Sequence, residues 1–289
     1  MQSKHVNIFS LFVLFLVSGC LQSPDKSGRL VAQSNSVNEK KVLIIKSGST
    51  VQTRFDTPKG YKRKAVEENS FAAYLRNVKL KPDGTKVKYF DGQVKKELVY
   101  DAVVDMEIGD KNLQQCADAV MRLRGEYFYS QKLYDKISFT LTNGFKTDYT
   151  EWMKGNRVKV NGNTTAWQKT SSPSNTYKDF RNYMELVFNY AGTLSLSKSL
   201  QAKNVKDISI GDVFIRGGSP GHAVIVMDVA ENSEGKKVFL LAQSYMPAQD
   251  IQILKNPNDL ILSPWYSNDI ISELETPQWT FTADQLKTW

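Results

Sequence analysis

Cys116 and His222 are the two side chains in this sequence whose types, taken together, point to covalent chemistry. An imidazole beside a thiol activates it for attack on a carbonyl carbon. Scarcity sharpens the pairing: the 289 residues hold two Cys and two His, and the other pair, Cys20 and His5, lies near the N-terminus. Cys116 falls in the first turns of an expected helix, where backbone N–H groups lack partners and the dipole favours negative charge. Its thiol is therefore expected to titrate below the free-cysteine range. His222 follows the loop Gly217-Gly218-Ser219-Pro220-Gly221 and opens an apolar run. That places the imidazole at a sheet edge, by the mouth of a cleft. A turn near residues 233–234 would return Gln243 and Ser244 to its side. Gln243 is the first choice for the residue that fixes the imidazole tautomer, and Ser244 the second. Gln114 and Gln115, beside the Cys116 backbone N–H, are the candidate oxyanion donors.

A plainer reading competes. Cys116 shares an apolar stripe with Leu113, Val120, Leu123 and Tyr127, and free Cys is among the most buried residue types. His222 would then be a satisfied polar residue at a strand end.

The same count excludes other chemistry. If the N-terminal leader is removed and Cys20 modified, one thiol and one imidazole remain. An internal disulfide is then impossible, and a Cys/His zinc site lacks its three or four ligands. No metal and no cofactor are expected. The formal charge of +8 shows no clustered basic helix, so a solvated basic surface is expected and no nucleic-acid partner.

The elements that must position these residues follow from periodicity and turn signals. Helices are expected over residues 66–77, from Gly109-Asp110-Lys111-Asn112 onward with Asp110 or Asn112 as N-cap, from 150, and over 177–190. Strands are expected at 87–90, 97–106, 137–141, 213–215, 222–229 and 238–245. Residues 164–173 read as a loop, and Thr282-Ala283-Asp284-Gln285 as a capping box opening a last short helix. Trp265, Tyr266, Trp279, Phe281 and Trp289 are expected to pack the C-terminal part rather than line a groove. Helices early and an antiparallel sheet late give an α+β class.

The N-terminus carries its own signal. Lys4, the apolar run of residues 8–16 and Val17-Ser18-Gly19-Cys20 form a charged start, an apolar middle and small residues before a cut. The run is shorter than the ~20 residues a spanning helix needs. The ending resembles the lipobox of bacterial lipoproteins, which implies lipidation at Cys20 after removal of residues 1–19. Polar residues follow and read as a flexible tether over 20–44. The expected product is exported and lipid-anchored to a bacterial cell-envelope membrane, with residues 45–289 as one domain.

Gly211-Asp212-Val213-Phe214 and Gly221-His222-Ala223-Val224-Ile225-Val226 resemble the histidine segment of papain-like cell-wall cysteine peptidases and amidases, including the CHAP type. The resemblance implies a papain-like fold, N-terminal helices packed on a C-terminal antiparallel sheet, with the third polar residue on the strand at 240–245. The long Cys-to-His separation implies an insertion around 140–205. Residues 115–124, 211–228 and 242–250 also resemble an uncharacterised family of bacterial lipoproteins, a domain of unknown function. The implied function is a cell-envelope thiol hydrolase that cleaves amide bonds, with peptidoglycan peptide or a similar peptide as substrate. The alternative is a non-catalytic binding or scaffold lipoprotein on the same fold.

Overall fold

The computed structural model describes residues 43–162, 164–270 and 272–289. The expected leader, Cys20 and the expected tether up to residue 42 lie outside the described residues. Leu43, at the far end of the expected tether, is buried, and Ile44 bridges Phe55.

The class is mixed α+β. In chain order the described elements are α1 (Val51–Arg54), β1 (Lys62–Arg63), α2 (Phe71–Asn77), β2 (Tyr100–Val103) and α3 (Cys116–Ser130). Then come β3 (Ser138–Thr140), β4 (Lys146–Asp148), α4 (Tyr149–Met153), β5 (Asn156–Asn161), β6 (Thr164–Lys169), α5 (Tyr177–Tyr190) and α6 (Thr193–Ser199). The C-terminal part adds β7 (Gln201–Ala202), β8 (Val213–Arg216), β9 (His222–Glu231), β10 (Lys237–Gln243), β11 (Gln252–Leu254), β12 (Tyr266–Ser267), β13 (Glu273–Thr276), β14 (Trp279–Thr282) and β15 (Leu286–Thr288).

One nine-stranded sheet runs in the order β2-β11-β10-β9-β8-β15-β7, with β1 added beside β9 and β12 beside β10. Its pairings are antiparallel. The near-continuous apolar run of β9 is explained by burial on both faces. Ala223, Ile225 and Met227 join one buried cluster, which also holds Ala119, Val120 and Leu123 of α3 and Leu75 of α2. Val224 and Val226 face a second cluster with Phe281 and Leu286. A bulge opposite Leu240/Leu241 inserts one residue in β9, so Val229 joins the second cluster and Ala230 the first. At the bulge Asp228 turns to Arg63 Nε at 2.5 Å and Arg76 Nε at 2.6 Å, fully buried between the two guanidiniums.

Several expected boundaries shift for local reasons. α2 begins at Phe71, because the Ser70 hydroxyl accepts the Ala73 N–H at 3.1 Å and Asn69 stands at φ 62°. α3 is capped at Gln115, not at Asp110 or Asn112, because Asp118 reaches back to accept the Gln115 N–H at 3.0 Å. Residues 164–169 pair with β5 as a hairpin; both faces of β6 are largely polar, so no hydrophobic alternation announced it. The last expected helix is a single 3-10 turn, Ala283–Gln285.

α3 is buried almost all round through its first three turns, not along one stripe. Its other side meets α5, and Gly125 permits the approach: a Cβ there would lie 3.1 Å from Met184 Sδ. Glycine inside a helix costs about 1 kcal/mol relative to alanine, so this position trades helix propensity for close packing. α5, within the segment expected as an insertion, contributes Phe180, Tyr183, Met184 and Val187 to the same core as α3.

Candidate functional site

Cys116 is the first residue of α3, so its own backbone N–H has no helical partner. The thiol is 8% exposed. Backbone N–H groups of Ala117, Ala223 and Cys116 itself favour the thiolate form. Ala223 is the neighbour of His222, so the start of α3 abuts the start of β9. The N–H donors do not prevail, however. Burial, followed by the charge of Asp118, pushes the thiol up to about 11. This reverses the sequence-based expectation of a lowered thiol. A helix terminus stabilises a thiolate by a modest amount near solvent, whereas loss of hydration penalises the anion more.

His222 is 1% exposed, at the end of a central strand between β8 and β10 rather than at a sheet edge. Three rings enclose it: Tyr245 edge-on at 4.8 Å, Trp279 at 5.4 Å and Phe281 stacked at 5.8 Å between centroids. Burial lowers the imidazole to about 4 against the opposing hydrogen bond of Gln243. Both members of the pair are therefore neutral near pH 7.

Gln243 closes β10 and shares a sheet face with His222, because alternate β10 residues Phe239 and Leu241 belong to the same cluster as Val224. Its Oε1 lies 2.8 Å from His222 Nε2. An amide oxygen only accepts, so with Oε1 on this side the imidazole carries its proton on Nε2. The Gln243 Nε2 in turn donates to Gln278 Oε1 at 2.8 Å. Ser244, the second choice, points elsewhere. Its hydroxyl lies within donating reach of the carbonyls of Gln249 (2.7 Å) and Gln114 (3.0 Å), beside the segment before Cys116.

Cys116 and His222 border one cleft of about 320 Å³, together with Gly192, Thr193, Tyr245 and Trp279. No direct hydrogen bond joins the thiol to the ring among the described residues. Gly221 is required on one wall: a Cβ there would sit 2.4 Å from the Gly218 carbonyl and 2.5 Å from Thr193 Oγ1. Of the two oxyanion candidates, Gln115 lines the cleft. Gln114 is fully buried, its Oε1 accepting from Arg122 at 3.0 Å.

The sequence reading missed four residues here. Trp279, assigned to packing, lines the cleft, and its buried Nε1 has no hydrogen-bond partner. Asp118 also borders the cleft; burial raises its carboxyl to about 8 and Oδ1 is unpartnered. An acid three residues after a helix start was the available signal for Asp118. Lys95 and Gln278, behind Gln243, gave none. A larger groove of about 900 Å³ lies by Lys203, Lys236 and Asp284, but no thiol or imidazole faces it. Among the described residues no group of three or more His, Cys, Asp or Glu is placed to hold a metal ion, and no helix is long and apolar enough to cross a membrane.

Residues 51–288 match the family described as domain of unknown function 4846 (DUF4846). The chain belongs to this family. No curated protein and no solved structure matches it. For this DUF4846 domain the chemistry must therefore be argued from its own residues, and the matched span includes Cys116, His222 and Gln243.

Proposed function

We propose that this DUF4846 protein is a thiol hydrolase of papain-like arrangement, with Cys116 as nucleophile, His222 as general base and acid, and Gln243 as the residue that orients the imidazole. The observation that carries the reading is the shared cleft: a thiol at a helix start and an imidazole held through Nε2 border the same concavity. Two further features support it. Residues of α3 and β9 share one buried core, and Trp279, whose Nε1 has no hydrogen-bond partner, lines the same cleft.

In the proposed step Sγ bonds to a substrate carbonyl carbon while the thiol proton passes to His222 Nδ1. The developing oxyanion takes the Cys116 N–H, with Gln115 alongside. Collapse breaks the C–N bond, and the proton on Nδ1 goes to the leaving amine. Water, deprotonated by Nδ1, then cleaves the thioester, and the proton returns to the thiolate sulfur. A neutral resting pair fits general-base activation during attack better than a standing ion pair. Resting catalytic hydrogen bonds are often long and tighten on substrate binding.

Lipidation at Cys20 and export to a cell-envelope membrane form part of the same proposal, with peptidoglycan peptide or a similar amide as substrate. One observation favours the second reading, a non-catalytic binding lipoprotein: the thiol is buried and raised rather than activated. Incubation of the full chain with peptidoglycan fragments, compared with Cys116→Ala, separates the two. Release of new amino termini by the wild type alone supports hydrolysis. Cleft-dependent binding without release supports the alternative.

A further inference from the structure

The side chain least expected in its position is Lys95. It is 2% exposed, and no ion pair with a carboxylate reaches it among the described residues. Instead its ammonium donates to Gln249 Oε1 at 2.8 Å and to Gln278 Oε1 at 2.9 Å, with the Tyr245 ring 5.9 Å away. A buried ammonium without a contacting carboxylate is costly; here two amide oxygens are its hydrogen-bond acceptors, with the charge of Glu97 acting in the same favourable sense.

The consequence is directional. An ammonium has three donors and no acceptor, whereas an amide has one end of each kind. Facing Lys95, Gln278 must present Oε1. That same oxygen receives the Gln243 Nε2 at 2.8 Å, so Gln243 must turn its own Oε1 to the other side. There it meets His222 Nε2 at 2.8 Å, and an oxygen at that place requires a ring N–H. Gln249 obeys the same rule: its Oε1 accepts from Lys95 and from Gln252 Nε2 at 2.9 Å, while its Nε2 donates to the Pro247 carbonyl at 3.1 Å. Without Lys95, both amides could turn over together, Gln278 Nε2 then donating to Gln243 Oε1 and Gln243 presenting its Nε2 to the ring, which stabilises the opposite tautomer.

We propose that Lys95 is a positioning residue for His222: acting through Gln278 and Gln243, its ammonium fixes the two amides so that the imidazole holds its proton on Nε2 and keeps Nδ1 as the free base. The proposal deepens the hydrolase reading and rests on it for its catalytic meaning, but the tautomer itself is independent of any activity. Lys95 touches neither thiol nor substrate cleft. Burial lowers its ammonium to about 8, which leaves it charged at neutral pH.

The chain has two His, so the full chain carrying His5→Gln has one imidazole, and ¹⁵N-histidine labelling reports His222 alone. At pH 7 the wild-type background is expected to show a single neutral tautomer with a protonated, proton-coupled Nε2 and a bare Nδ1. Lys95→Met should give a mixture of the two tautomers, and Lys95→Arg, which also only donates, should restore the single form. If Lys95→Met does not fold, Gln278→Met interrupts the relay at a partly buried site and should give the same mixture. A protonated Nδ1 in the wild-type background, or an unchanged Nε2–H population in a folded Lys95→Met or Gln278→Met protein, overturns the proposal. Failure of the hydrolase reading looks different: the tautomer shifts as expected while peptidoglycan fragments stay intact in every variant.

Discussion

The protonation state of Cys116 is the point at which the structure departs furthest from what helix position alone would dictate, and it lends itself to a direct measurement. Burial and the Asp118 charge raise the thiol from 9.0 to about 11, against three opposing backbone N–H groups. At neutral pH an alkylating reagent then meets roughly one hundredth of the thiolate that an unperturbed thiol presents, since each tenfold step is one pKa unit. Asp118 itself ionises near 8, so it is charged throughout the range in which the thiol titrates. The assay is iodoacetamide alkylation of the full chain carrying Cys20→Ala, followed by mass spectrometry from pH 6 to pH 11. The rate should rise with pH without levelling below about 10.5, with a midpoint near 11. Restricted access would scale the whole curve down but would not move its midpoint. Asp118→Asn removes the second-largest cause and should move the midpoint down. A wild-type plateau with a midpoint at or below about 8.5, the free-cysteine value, would refute the argument that desolvation dominates and would reinstate the thiolate that the helix terminus favours.

Other outcomes follow from the same geometry. His222, lowered to about 4 by burial, binds fewer protons folded than unfolded between that value and 6.5, so its contribution to stability is present above about 6.5 and lost as pH falls through 4; thermal melts of His222→Asn should show a shallower acid loss than wild type over this window. Asp118 has the opposite sign: its raised carboxyl favours folding below about 3.8 and loses that contribution progressively as pH rises to about 8, so the decline in melting temperature between those values should flatten in Asp118→Asn. Asp228→Ala leaves the Arg63 and Arg76 guanidiniums without their buried partner and should cost about 3–5 kcal/mol in urea unfolding, with the Cys116 titration midpoint unchanged if the protein folds. Gly221→Ala drives a methyl group into the Gly218 carbonyl and Thr193, which should cost about 1–3 kcal/mol and reduce hydrolysis through the displaced cleft wall. Cys20→Ala should abolish fatty-acid labelling, and persistence of label in that mutant would contradict the lipobox reading.

The sequence by itself determined the elements whose patterns are local. Turn signals and an apolar run announced the hairpin of β9 and β10, and the turn expected near residues 233–234 returned Gln243 toward His222. Helix periodicity set α5 at Tyr177–Tyr190, matching its expected bounds. The scarcity of Cys and His singled out the pair that shares the cleft. Tertiary structure decided everything that depends on what lies above a residue. Only the fold reveals that the first turns of α3 are covered almost all round, and that coverage turns a helix-terminal thiol from an expected thiolate into a neutral group. Only the fold brings Trp279 from the C-terminal hairpin to the imidazole. Lys95, next to Lys96, carries no mark of burial in the sequence; its proposed role arises because Gln249 and Gln278 reach it from distant parts of the chain. Hydrophobic period and turn chemistry are encoded over a few residues, whereas desolvation and hydrogen-bond direction belong to neighbours that sequence order does not specify.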